Sequence, residues 1–137
     1  MDNKEVLLQV ALDLFHAKGY DAVGIQEIVD KAGVTKPTLY YYFGSKKGLL
    51  QYLLESGYKI LQEDIAEVVQ VNEELPEILY QIARRFFNFA SAHEKFYLFM
   101  LSLFYSGREN EAFPHIIIAF HNVCFFIPVI EIPHYGN

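Results

Sequence analysis

Between Lys4 and Ala17, apolar residues return every three or four positions. Val6, Val10, Leu14 and Ala17 form one line, with Leu7, Ala11 and Phe15 beside it. This period predicts an amphipathic helix. Lys18-Gly19 is expected to end it, with a cation in the last turn and a left-handed glycine cap. A second, short helix is predicted over Ile25 to Ala32, with Gly24 as N-cap and Ile25, Ile28, Val29 and Ala32 facing inward. Gly33 turns the chain. A third helix follows over Thr35 to Tyr42, with Leu39 inward, the Thr35 hydroxyl as cap and Pro37 in the first turn, where a missing N–H costs nothing. Ser45 is expected to cap a long fourth helix, on which Leu49, Leu50, Leu53 and Leu54 continue to Ile60, Leu61, Ile65 and Val68.

Asn72 to Pro76 is a polar break. A fifth helix is predicted from Leu75-Pro76, with Ile78, Leu79, Ile82, Phe86 and Phe89 inward, and a sixth, very aromatic one over His93 to Tyr105. Ser106 to Asn110 reads as a loop. From Phe113 to Ile130 the chain is almost unbroken apolar sequence without a clear period, and Pro128 and Pro133 interrupt any helix there. A seventh helix is expected over about residues 113–127. The predicted class is all-α: a three-helix N-terminal bundle with a helix-turn-helix, then a partial helical ligand-binding and dimerisation domain. The expected boundaries are 1–47 for the first part and 48–137 for the second.

Charge changes the picture once it is mapped. Residues 1–50 hold six lysines and six acids, whereas residues 51–137 hold five basic and eleven acidic side chains, so the whole net charge of −6 lies in the second part. No acid occurs between Asp30 and Glu55, while Lys31, Lys36, Lys46 and Lys47 all do. A locally positive field on an acidic chain suits phosphate. Charge alone also fits a solvated helix face. The short third helix adds the chemistry. Lys36, Pro37, Thr38, Tyr40, Tyr41 and Tyr42 remain for a DNA groove once Leu39 is turned inward, and their hydroxyls and lysines reach phosphates or base edges.

A hydrophobic content of 53% argues against disorder over most of the length. The single cysteine, Cys124, allows no internal disulfide, which fits a reducing compartment. The start, MDNKEVLLQ, has no apolar core of the signal-peptide type, and Ile116 to Ile130 is too short and too polar for a membrane span. A cytoplasmic protein without membrane contact is expected. His115, His121, Cys124 and His134 lack a helical His-x-x-x-His spacing, so neither a metal site nor a cofactor is expected. No phosphate-binding glycine loop or nucleophile triad is recognisable, and no enzyme is expected.

The run FHAKGYDAVGIQEIVDKAGVTKPTLYYYFGSKKGLL resembles the N-terminal domain of TetR-type (tetracycline-repressor-like) transcriptional regulators. Phe15, Gly19-Tyr20, Ala32-Gly33-Val34, Thr38 to Phe43 and Ser45-Lys46 carry the resemblance, which covers about residues 4–55 with its spacing intact. It implies a homodimeric repressor that binds a palindromic double-stranded operator and releases it when a small apolar effector binds. It also implies roles. Thr35, Lys36, Pro37, Thr38, Tyr40, Tyr41 and Tyr42 face DNA, with Lys36 and Tyr41 nearest the bases and Tyr40 and Lys46 on phosphate. Gln26 reaches the DNA backbone or an adjacent base. Phe43 belongs to the core, and Tyr42 is open between core and groove. Gly24 departs from the family's usual Thr or Ser, which removes one phosphate-binding hydroxyl.

The expected effector-binding residues are Phe86, Phe89, Phe96, Met100 and Phe104, although ordinary helix packing explains most aromatic residues of this stretch. The last residues, IIIAFHNVCFFIPVIEIPHYGN, lack the amphipathic pattern of the two further helices that usually form the family's dimer interface. A truncated or frameshifted regulatory domain is therefore expected. The alternative function is a partner-binding or non-functional fragment that keeps the DNA-binding fold without a stable dimer interface.

Overall fold

A computed structural model describes residues 1–69 and 74–106 of the chain. Their regular structure is helical throughout: α1 (Asn3–Lys18), α2 (Ile25–Ala32), α3 (Lys36–Phe43), α4 (Lys46–Val69), α5 (Leu75–Ala92) and α6 (Glu94–Tyr105). The all-α class and the N-terminal helix-turn-helix are as expected. The seventh helix, the apolar tail and the His115, His121, Cys124 and His134 group lie outside the described residues.

α1 begins on a capping box. The Asp2 carboxylate accepts the Glu5 N–H at 2.8 Å, and the Glu5 carboxylate accepts the Asp2 N–H at 3.3 Å. Two N–H groups that a helix start leaves without partners are thereby satisfied. The buried stripe is Leu7, Ala11, Leu14 and Phe15. Ala17, expected on that stripe, is exposed, because the turn before Gly19 already leaves the bundle. Gly19 has a positive φ of 83° with an extended ψ of 155°, so it is not the left-handed cap expected, although its N–H still closes on the Phe15 carbonyl at 2.9 Å.

The three N-terminal helices share one core with α4 and α6. Leu7, Phe15, Ile28, Leu39, Leu49, Leu50 and Phe99 are all fully buried within it. α6 lies directly against α1: the Phe15 and Phe99 rings stack at 5.6 Å, and Lys95 Nζ donates to Asp13 Oδ1 at 2.7 Å. α4 continues unbroken from the helix-turn-helix to the second half of the described chain. Ile60, expected inward on α4, is half exposed, whereas Tyr58 is buried there.

α5 starts at Leu75 with Pro76 in its first turn, and it meets α6 at His93 without an intervening loop. Only Phe89 of α5 is buried. Leu79, expected inward, is 54% exposed, because it stands at the rim of a cavity that α4, α5 and α6 leave open.

Candidate nucleic-acid interface and apolar cavity

α2 and α3 are joined by a turn that the sequence forces. Gly33 takes φ 68° and ψ 29°, the left-handed region that a side chain disfavours. Its N–H bonds back to the Asp30 carbonyl at 3.3 Å, and the Val34 N–H bonds to the Val29 carbonyl at 3.0 Å. α3 then runs for eight residues and stops at Gly44, again with positive φ, whose N–H closes on the Tyr40 carbonyl at 2.9 Å. Two glycine turns thus set the length of this helix, and Leu39, fully buried, fixes its rotation.

That rotation leaves Tyr41 83% exposed, Tyr40 47% and Tyr42 37%. Lys36 and Pro37 are exposed beside them, and Thr38 is half-buried. The Tyr41 and Tyr42 rings meet edge to face at 5.2 Å. Phe43 is partly buried against the core, and its ring meets Tyr52 of α4 at 5.5 Å.

Thr35 occupies the N-cap position in an extended conformation, but its hydroxyl makes no capping bond. It pairs instead with the Thr38 hydroxyl at 2.9 Å. Ser45 does cap α4, accepting the Gly48 N–H at 2.9 Å. Just beyond it, Lys46 Nζ lies over the Tyr20 ring, 4.1 Å from its centroid. Gln26, on the exposed side of α2, donates to Asp30 Oδ1 at 2.7 Å, so its amide is oriented along its own helix. Gly24 N-caps α2 with no side-chain bond.

The second feature is an apolar cavity of about 520 Å³ between α4, α5 and α6. This lies within the usual size range of small-molecule sites. Phe86, Phe89, Met100 and Phe104 line it, as do Tyr58 and Tyr97, and no lining residue carries a charge. Phe96 faces elsewhere. It is buried, touches a smaller cavity of about 160 Å³, and lies edge-on to Tyr58 and Phe89 at 6.0 and 6.1 Å. Arg85 ties α5 to α4 through ion pairs with Asp64 and, at 3.3 Å, Glu67. Its bond to Asp64 and the charge of that carboxylate push the Arg85 guanidinium above its ordinary pKa. Slight burial opposes this, and Glu67 adds to it.

Sequence reasoning missed two contacts at the start of α1. The capping box was legible as Asp2-x-x-Glu5 before an apolar run. The placement of Lys4 Nζ over the Tyr52 ring, 4.1 Å from its centroid, joins residues far apart in the chain and left no local signal.

A short helix presented by a glycine turn, anchored by one leucine and surfaced with tyrosines and lysine, defines a helix-turn-helix of the DNA-reading class. Residues 7–53 match the model of bacterial regulatory proteins of the tetR family. The N-terminal part of the chain is therefore similar to that family. It is 37% identical over 86 residues to the HTH-type transcriptional repressor BdcR of Escherichia coli (strain K12), covering 60% of this chain and 44% of that protein. It is 34% identical over 83 residues to the HTH-type transcriptional activator FasR of Mycolicibacterium smegmatis, covering 61% of this chain and 38% of that protein. The aligned part is thus less than half the length of either relative. Among solved structures, one from Shewanella sp. PV-4, assigned to the tetR family of transcription regulators, superposes with a TM-score of 0.77 at 24% identity. That likeness covers 93% of this chain and 66% of the other, and it is a likeness of fold.

Proposed function

We propose that the chain is a DNA-binding transcriptional regulator that reads a palindromic operator as a homodimer and lets go when a small apolar molecule occupies the cavity. Residues 1–47 form the DNA-binding part in this reading, and residues 48–137 form the regulatory part. One observation carries it: α3 is rotated by buried Leu39 so that Tyr40 and Tyr41 stand outward beside Lys36, in a stretch that contains no acid. Hydroxyls and lysines on such a helix contact base edges and phosphates. Thr35, Pro37, Thr38, Tyr42 and Lys46 complete the interface, with Gln26 at its edge once its amide leaves Asp30. A single recognition helix reads one half-site, which is why two copies are needed.

The sign of regulation is taken as repression, in line with BdcR, although FasR bears the name of an activator. A reporter driven by a selected operator decides this: expression falls in cells making the chain if it represses and rises if it activates. The direct test is selection of duplexes from a randomised pool, followed by shift assays. Retention of a palindromic sequence with two chains per duplex supports the reading. Failure to retain any duplex, with a folded chain, overturns it. A monomer bound to a single half-site supports the alternative of a fragment that keeps the reader without a dimer interface.

A further inference from the structure

We propose that Lys4, on the first turn of α1 and outside the helix-turn-helix, is a phosphate contact of the DNA complex, and that Tyr52 of α4 is its positioning residue. The proposal rests on the DNA-binding reading above. Its starting point is a continuous row of aromatic contacts. Tyr41, the most exposed tyrosine of the reader helix, meets Tyr42 at 5.2 Å, and Tyr42 meets Phe43 at 6.1 Å. Phe43 meets Tyr52 at 5.5 Å, and Lys4 Nζ stands 4.1 Å from the Tyr52 ring centroid. The row leads from the groove-facing tyrosine, through Phe43 and Tyr52, to an ammonium group on α1. An ammonium beside a helix seated in the major groove meets the phosphates of the groove wall.

Three further features fit a charge held ready for an anion. Lys4 makes no ion pair among the described residues, unlike Lys18, Lys59 and Lys95. The neighbouring carboxylates of Asp2 and Glu5 are engaged by backbone N–H groups in the capping box, which also fixes the turn that carries Lys4. The ring face holds the ammonium electrostatically without neutralising it, so the charge stays available to phosphate. Lys46, over Tyr20, shows the same arrangement at the start of α4.

The test uses a duplex selected from a randomised pool by the unmodified chain, with binding followed by fluorescence anisotropy over a series of KCl concentrations. Lys4→Gln is expected to flatten the slope of log K against log [KCl] by about 0.9 per protomer, the value of one phosphate contact. Lys4→Arg and Tyr52→Phe, which keep the charge and the ring, leave the slope unchanged. Tyr52→Leu flattens it as Lys4→Gln does, and the two together do no more than either alone. Lys59→Ala removes an exposed lysine elsewhere on α4 and leaves the slope unchanged.

All variants are first checked for the same helicity and unfolding midpoint. A Tyr52→Leu variant that fails this check is replaced by Tyr52→Met, with the same expectation. If Lys4→Gln binds with the unmodified slope while Lys46→Ala still flattens it, the proposal is overturned and the DNA-binding reading stands. If Lys59→Ala acts as Lys4→Gln does, bulk charge is the cause and the proposal is overturned. If the unmodified chain shows no salt-dependent duplex binding, both fall.

Discussion

At the scale of single residues, two glycines on α4 decide more than their neighbours suggest. A Cβ on Gly57 would lie 2.2 Å from the tip of the Phe96 ring. Phe96 cannot simply rotate away, because it is buried between Tyr58 and Phe89. Gly57→Ala therefore overpacks the α4–α6 contact and should cost about 1–3 kcal/mol in denaturant unfolding. Trimming the ring in the double variant Gly57→Ala/Phe96→Leu should recover part of that loss. An additive loss would show that the ring is not the obstacle. Gly48 is constrained in the same way by backbone, since a Cβ there would lie 2.0 Å from the Phe43 carbonyl oxygen. Neither constraint was legible in the sequence. A glycine inside a helical pattern reads as a weak point, and only the neighbour brought by the fold shows why an alanine does not fit.

Helices were the most legible level, and the capping bonds at their ends were the least. The apolar period placed the starts of these six helices to within a residue or two, because burial of one stripe dominates their formation. Gly33 was readable because a sharp turn between two amphipathic segments demands positive φ. Thr35 was not: a threonine before a helix suggests a cap, yet a second hydroxyl one turn on, at Thr38, captures it instead. The two candidate caps therefore separate in energy. Ser45→Ala removes a real bond to the Gly48 N–H and should cost about 1 kcal/mol. Thr35→Ala should change the unfolding midpoint by clearly less while weakening DNA binding. Equal thermal losses in the two variants would contradict the observed hydrogen bonds. Gly33→Ala, placed in the left-handed region, should cost about 1–2 kcal/mol.

For the molecule as a whole, the proposed regulation requires that occupation of the cavity reach α3. α6 forms one wall of the cavity through Met100 and Phe104, and it lies against α1 through Phe99 on Phe15 and Lys95 on Asp13. α1 in turn packs on α2 and α3. A displacement of α6 therefore has a packed route through α1 to the reader helix. The cavity is an open apolar space with uncharged lining, so a neutral hydrocarbon-rich molecule gains burial there, whereas a charged head would meet no oppositely charged side chain on its wall. Binding to the folded state alone raises stability by about 2.7 kcal/mol at a hundredfold excess over Kd. In a thermal-shift series, 1-decanol should therefore raise the midpoint of the unmodified chain more than decylamine at equal concentration. Ala83→Trp, which places an indole in the cavity from α5, should abolish that shift without lowering the unliganded midpoint. An undiminished shift in the Ala83→Trp variant would place the binding site elsewhere on the molecule.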